Sequence, residues 1–412
     1  MDSLRILFVS PYVPSLLRTR PFGFVTQLAR RGHRITLLSA ETSEQDHDAV
    51  AALRSVCERI EVVPISRLRA SLNCLRGLTD DLPFQALYCH SPAWRERLRD
   101  LLAANTYDIA HVEHLRAALM GVDLRGLPRV YDAVDCISEL FEITQHHGGT
   151  WLSRTAARID LPRTRRFEAR LTQSFERIIV TAESEAAALS RLSPSQEVTT
   201  TAQVVPNGVD LEYFRPFDGR REAATLLYVG RMSYHANVRA AVELVRKVMP
   251  IVWASRPDAR VVICGAEPVR AVRALAGGGE SRITVTGTVA DVRPYLQRAT
   301  LSVNPLPYAV GIQNKVLEAL ATATPVVASP AACAGLAKGY DQVLIETSGV
   351  QSCAGQILRL LADDALRRRM GAAGRKYVEA YHDWNFTTQR LEAVYRDAVS
   401  SFSMKGPLGD ER

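Results

Sequence analysis

The sequence predicts an α/β protein of two similar domains, each a doubly wound parallel sheet, and three observations lead there. Short apolar runs of strand length alternate with amphipathic helical stretches from end to end, the rhythm of βαβ units. The runs fall into two series with no low-complexity segment between them. Between the series lies VPNGVDLEYFRPF, where Pro206, Asn207 and Gly208 follow an apolar run and Pro216 closes the segment.

In order, RILFVS reads as the first strand, followed by a helix over roughly 20–31 and the strand HRITLLS. RIEVVPI, DIAHVE, PRVYDAV, RIIVTA and AQVVP complete the first series. The second runs ATLLYVG, ARVVICG, RITVTG, LSVNPL, TPVVAS and QVLIE. The domains are therefore expected at 1–205 and 206–383. A last helix over 384–400 is expected to cross back to the first domain, with a frayed tail at 401–412.

Composition narrows the function classes. At 412 residues, 47% hydrophobic and 23% charged, the chain suits a soluble globular protein with more than one core. No apolar run approaches the ~18–20 residues that span a bilayer. The start, MDSLRILFVS, lacks the pattern of a signal peptide, so a cytoplasmic location is expected. The seven cysteines are scattered without a C-x-x-C pair, which points to small buried side chains in a reducing compartment.

The net charge of +7 raises nucleic acid as a partner. Residues 1–205 carry 25 basic and 24 acidic side chains, against 26 and 20 in 206–412. No basic block is interleaved with aromatics, and only five of the 51 basic residues are lysines. No nucleic-acid partner is expected. Residues 151–177 read as an amphipathic helix, with Arg163, Arg165, Arg166, Arg170 and Arg177 among Leu161, Phe167, Leu171 and Phe175. A solvated face over a core stripe is the plainer account. Docking on an anionic membrane surface, at the inner face of the membrane, is the alternative.

Ligands of doubly wound sheets bind outside the carboxyl ends of the strands, which directs attention to three turns of the second series. Gly230-Arg231 follows ATLLYV; the glycine admits a ligand to the backbone and the arginine can grip an anion. A surface arginine after a strand is also common. Val285-Thr286-Gly287-Thr288-Val289, followed by Asp291, is either an ordinary turn or one whose backbone reads a nucleobase. The third turn starts at Gly311 and leads into a helix over 312–322 that stops before Pro325. At about 100° per residue, Val316, Leu317 and Leu320 share one face, and Gly311, Lys315, Glu318 and Thr322 the other. That helix start offers unpaired N–H groups to a diphosphate. The bland account is a surface Lys–Glu pair.

Together these turns resemble the donor domain of family 4 glycosyltransferases with the GT-B fold, and the resemblance extends through PNGVD at 206–210 over nearly the whole chain. It is closer still to the sugar transferases associated with exosortase (PEP-CTERM) gene clusters. The segments carrying that likeness are Tyr234-His235-Ala236-Asn237-Val238, Val285-Thr286-Gly287, Asp291-Val292-Arg293-Pro294-Tyr295-Leu296 and Gly311-Ile312-Gln313-Asn314-Lys315-Val316-Leu317-Glu318-Ala319. The resemblance implies two Rossmann-like domains with an interdomain cleft, the first for the acceptor and the second for the donor.

It also implies roles. Gly230, Arg231, Gly287, Val289, Gly311, Ile312, Gln313, Lys315 and Glu318 are expected to bind the donor, with Glu318 on the ribose hydroxyls as the second glutamate of the family's E-x7-E motif. The first glutamate falls at Val310, and the lysine that usually joins Arg231 on the diphosphate falls at Ala236. Lys315 is expected to supply that charge instead. DIAHVEHLR at 108–116 resembles the family's strand ending in H-x-H, which makes His111, Glu113 and His114 the catalytic candidates beside Arg231 and Lys315. Arg18, Arg20 and Arg116 are expected on the acceptor side.

The implied reaction moves a sugar, with retention, from a nucleoside diphosphate donor to a hydroxyl acceptor, in polysaccharide or lipid-linked glycan assembly or on a natural product. The nucleotide sugar is a co-substrate, no further cofactor is expected, and no D-x-D pair or His/Cys cluster asks for a metal. A sugar-nucleotide epimerase or hydrolase of the same fold, and a non-catalytic nucleotide-sugar-binding subunit, are the competing readings.

Overall fold

The structure is a computed structural model that describes residues 3–41, 46–77, 80–124, 126–147, 150–192, 202–217, 219–277 and 281–405. Among these, thirteen strands form two all-parallel sheets. The strands are β1 Arg5–Ser10, β2 Arg34–Glu41, β3 Arg59–Pro64, β4 Ile109–Glu113, β5 Arg129–Val134, β6 Arg177–Val180 and β7 Gln203–Val204 in the first sheet. β8 Thr225–Val229, β9 Arg260–Cys264, β10 Ile283–Gly287, β11 Leu301–Asn304, β12 Val326–Ala328 and β13 Ile345–Glu346 form the second. Each apolar run singled out in the sequence supplies one strand.

The chain divides into two compact units. One comprises residues 1–146, 150–208 and 384–412, the other 147–149 and 209–383. The first unit has strand order β3-β2-β1-β4-β5-β6-β7. Successive side chains of a strand point to opposite faces, and β1 feeds two cores accordingly. Leu7 and Val9 join Leu38, Val112, Tyr131 and Trp94 on one face. Ile6 and Phe8 join Phe24, Leu28, Leu37 and Tyr395 on the other. Burial on both faces is what a parallel sheet requires.

The helix Trp384–Lys405 belongs to this second core, through Trp384, Leu391, Val394 and Tyr395. It is longer than the expected 384–400 and takes in part of the expected frayed tail. The rest of that tail, 406–412, lies outside the described residues. A Cβ on Gly23 would stand 2.3 Å from the Trp384 ring, so the helix Thr19–Arg30 can carry only glycine there without displacing the tryptophan. Of the arginine-rich stretch, residues 151–174 are helix with Leu161, Phe167 and Leu171 buried, while Arg177 opens β6.

The second unit has strand order β10-β9-β8-β11-β12-β13. Its third turn leads into a helix that begins at Asn314 rather than 312 and ends at Ala321. Thr322 does not share the exposed face with Lys315. It is fully buried, and its hydroxyl donates to the Ala319 carbonyl at 2.9 Å. Arg221 fixes this end of the helix: its guanidinium donates to the carbonyls of Thr322, Ala323, Leu296, Gln297 and Ala299 at 2.9–3.1 Å. These are the carbonyls that two helix C-termini leave unpaired, Arg293–Arg298 and Asn314–Ala321. Burial lowers the Arg221 pKa to about 10. Among the described residues no helix is long and apolar enough to cross a membrane.

Candidate functional site

In each sheet the strand order reverses once, and the crevice outside the strand ends at that point is where such folds bind ligands. In the second unit the reversal lies between β8 and β11. β8 runs out into Gly230-Arg231, and the backbone there is close-packed. A Cβ on Gly265, after β9, would fall 1.8 Å from the Gly230 carbonyl oxygen, and Gly265 itself has φ +148°. Only glycine fits that approach.

Asn237 organises the turn. Its amide Nδ2 donates to the Arg231 carbonyl at 3.0 Å, while its Oδ1 accepts from the Tyr228 hydroxyl at 2.9 Å and from Lys315 Nζ at 2.6 Å. Lys315 Nζ also lies 4.9 Å from the centre of the Tyr228 ring. The ammonium is thereby delivered from the helix Asn314–Ala321 to the start of the helix His235–Glu243, one residue beyond Ala236. Ala236 is 1% exposed, so its position is closed to a long side chain unless the packing gives way. Lys315 Nζ reaches the same turn from the helix on its other side.

Burial lowers the Lys315 pKa to about 7 against the opposing pull of Glu318, and burial raises that of Glu318 to about 7 against the pull of Lys315. One turn of helix separates the two residues. Both keep part of their surface exposed. A cation and a carboxyl group that change charge near neutrality can both respond to a bound anion.

The other donor candidates lie on the three turns of this unit. Gly311 is buried with φ +60°, and Ile312 is 8% exposed. Gln313 caps the helix without a side-chain bond to it, and its amide instead donates to the Val310 carbonyl at 3.2 Å. Gly287 has φ +72° at a register shift at the end of β10, and Val289 is partly exposed beyond it. Arg231 is 67% exposed at its side chain and pairs with Glu267, Nη2 to Oε1 at 2.8 Å. Sequence reasoning missed Glu267, whose φ of +55° and bond from Ser233 Oγ fix it beside the arginine. Nothing local in CGAEP signals that pairing.

In the first unit the reversal lies between β1 and β4. β4 ends in Glu113, which is 1% exposed. Its Oε2 accepts from Ser10 Oγ at 2.7 Å, and its Oε1 faces the Tyr12 hydroxyl at 3.4 Å. Burial pushes the Glu113 pKa up to about 8, which holds the carboxyl neutral at pH 7. His114 follows with φ +66° and remains partly exposed. Its Nδ1 accepts the Arg116 N–H at 3.2 Å, so the ring proton sits on Nε2. Burial and then Arg116 lower its pKa, and the ring is neutral.

Two candidates depart from expectation here. His111 is fully enclosed, stacked on Phe8 at 4.3 Å, with Nδ1 bonded to the Tyr395 hydroxyl at 2.9 Å. It packs β4 against the helix Trp384–Lys405 and presents no face to a substrate. Arg20 is 4% exposed and holds Asp132 at two points, Nε–Oδ2 2.8 Å and Nη2–Oδ1 3.0 Å. Its Nη1 donates to the Val205 carbonyl and to Asn207 Oδ1, both at 2.9 Å. With the guanidinium engaged internally, Arg20 is a structural tie rather than an acceptor contact. Asp132 is 112 residues away in sequence, a distance that local patterning does not bridge.

Arg18 keeps partial exposure, with Nη1 on Asp46 Oδ1 at 3.0 Å and the guanidinium over Tyr12. Arg116 lies over Tyr88, its Nε donating to Gln85 Oε1 at 3.0 Å. Leu16 and Leu17 at the tip of the same loop as Arg18 are exposed.

Two parallel-sheet units of these strand orders, each with polar chemistry at its reversal point, define a protein of the GT-B fold. Family models agree on both halves. Residues 22–213 match the model described as glycosyltransferase family 4, and residues 223–363 match glycosyl transferases group 1. The two matches, each short of half the chain, together cover most of it and support a GT-B family 4 glycosyltransferase.

A phosphatidyl-myo-inositol mannosyltransferase of Mycobacterium leprae is 27% identical over 52% of this chain and 59% of its own length. The chain thus aligns with little more than half of that relative. A D-inositol 3-phosphate glycosyltransferase of Kineococcus radiotolerans is 26% identical over 91% of this chain and 88% of its own. Among solved structures, Anabaena Alr3699/HepE in complex with UDP and glucose superimposes with a TM-score of 0.66 at 14% identity, over 95% of this chain and 99% of that one. That likeness establishes the fold.

Proposed function

We propose that the chain transfers a hexosyl group, with retained configuration, from a nucleoside diphosphate sugar to a hydroxyl acceptor in glycan or polysaccharide assembly. We place it with the exosortase-associated sugar transferases, working in the cytoplasm and without a metal. The observation that carries the reading is the Lys315 ammonium, held 2.6 Å from Asn237 Oδ1 beside the Gly230-Arg231 turn at the sheet's reversal point.

A departing diphosphate gains negative charge, and cations already in place stabilise it without reorganising. Lys315 is one such cation. Arg231 is a second once a phosphate draws it from Glu267, since an exposed ion pair adds little and yields readily. Glu318, as carboxylate, accepts the ribose hydroxyls. In the first unit His114, with its proton on Nε2, keeps a hydrogen-bond donor at the end of β4. In the transfer the bond from the anomeric carbon to the diphosphate oxygen breaks and one to the acceptor oxygen forms. The acceptor's proton leaves with the diphosphate.

The UDP and glucose held by the Anabaena structure support a nucleotide-sugar donor here. The inositol-based names of the two relatives support a hydroxyl acceptor, and the first of them a lipid-linked one. A thermal-shift panel of UDP-, GDP- and other nucleotide sugars tests the donor, because a ligand stabilises the fold according to its affinity. Nucleoside diphosphate released only in the presence of a glycan acceptor supports transfer. A new nucleotide sugar formed without acceptor would show an epimerase instead, and binding without turnover a non-catalytic subunit.

A further inference from the structure

Two helices of the first unit leave their apolar residues in solvent. On the helix Arg67–Arg76, Leu68, Leu72 and Leu75 recur at spacings of four and three, within about 60° of one another. Leu68 is 73% and Leu75 62% exposed, while Ala70 on the opposite side is buried. On the helix Trp151–Ser174, Trp151, Leu152 and Ile159 share one sector of the exposed face, and Trp151 is 69% exposed. The two helices adjoin. Arg163 donates to the carbonyl of Gly77, which caps the first helix, and Asp160 accepts the backbone N–H of Phe84 just beyond it.

Neither helix carries an exposed acidic residue, although Asp81 and Glu142 lie beside the second. RLRASLNCLR contains three arginines and no acid. The longer helix carries Arg154, Arg158, Arg163, Arg165, Arg166 and Arg170. Its two carboxylates, Asp160 and Glu168, are buried at 2% and 1% exposure, with Glu168 accepting the first N–H groups of the helix Ile137–His147. Arg165 and Arg166 pair with Glu142 and Asp81, while Arg154 and Arg158 stand exposed among Trp151, Leu152 and Ile159. A core-forming helix would bury its leucines, and a merely solvated one would mix its charges. Apolar side chains including tryptophan, set among arginines with every helix carboxylate withdrawn, match a headgroup region with acyl chains beneath it.

We propose that these two helix faces dock the first unit on an anionic phospholipid bilayer. The surface is independent of the donor site and does not rest on the transfer reaction.

The test is flotation of the full chain with phosphatidylcholine vesicles, with and without about 30% phosphatidylglycerol, an anionic fraction chosen to give a negative surface potential. The chain is expected to float with the anionic vesicles at low salt and to be released as salt screens the charges. Arg154→Gln with Arg158→Gln lowers partitioning roughly 25-fold. Leu68→Ser with Leu72→Ser and Leu75→Ser abolishes it, and both variants melt as the native chain does because the altered side chains are exposed. Equal flotation with neutral vesicles, flotation with neither, or undiminished binding by both variants overturns the proposal. So does sedimentation as a dimer that the leucine variant dissociates, with no vesicle binding, which would assign the face to a second copy of the chain.

Discussion

Lys315 and Asn237 meet at 2.6 Å although 78 residues separate them, and the contact joins the helix after β11 to the helix after β8. In the proposed function it brings a cation to the donor side, where Ala236 carries none. Substituting Lys315 by alanine or methionine is expected to lower kcat/KM by about 10²–10³-fold, the loss typical of removing one group that stabilises developing charge. Steady-state kinetics with the donor found by thermal shift checks this, and Lys315→Arg should recover part of the loss.

Asn237→Ala deprives three groups of their partner: the Tyr228 hydroxyl, the Arg231 carbonyl and the ammonium. Leaving such groups unpaired costs about 1–3 kcal/mol each when buried. The variant should melt several degrees lower, and its donor KM should rise because the ammonium is no longer held in place. Asn237→Asp separates the effects: a carboxylate there raises the Lys315 pKa while still accepting its bond.

Donor binding should pass through a maximum near pH 7. The Lys315 pKa, lowered to about 7 by burial, means that the cation is lost as pH rises above that value. The Glu318 pKa, raised to about 7 by burial, means that the carboxylate is lost as pH falls below it. Titration calorimetry of the nucleoside diphosphate from pH 5.5 to 9, a range of about 1.5–2 units on either side of these values, reads both limbs. In Lys315→Arg the alkaline limb should disappear and the acid limb remain.

Arg20 and Asp132 predict stability rather than activity. Removing one partner of a buried ion pair typically costs about 3–5 kcal/mol because the other charge is left unpaired. Asp132→Asn and Arg20→Ala should each lower the melting temperature strongly. Arg20→Lys should rescue little, since a lysine cannot hold both carboxylate oxygens together with Val205 and Asn207.

Glu267→Gln is expected to tighten donor binding several-fold by freeing Arg231 from its ion pair. Measured affinities of the two proteins for the nucleoside diphosphate at matched salt check it. An unchanged or weaker affinity would mean that Arg231 does not reach the phosphates.

The strands were legible in the sequence because a parallel sheet buried on both faces demands short continuous apolar runs, and each run is a local signal. Ala236 and Val310 were legible as departures from a pattern. What lay beyond reach were the contacts between residues far apart in the chain. His111 reads as a strand-end histidine, yet Phe8 and Tyr395 enclose it from opposite ends of the sequence. Arg20 reads as a loop cation, yet Asp132 claims it. Lys315 was placed on the polar side of its helix by periodicity, but its landing on Asn237 follows from the order of the strands.

The central claim is that Lys315 replaces the missing lysine on the donor diphosphate. The most direct measurement is titration calorimetry of the nucleoside diphosphate into the native chain and into Lys315→Met at pH 6.5, below the value of about 7 to which burial lowers the lysine. The account predicts that affinity falls at least about tenfold in the variant, the worth of one charge-assisted bond, while the melting temperature without ligand stays close to native. Equal affinity in the two proteins would contradict it.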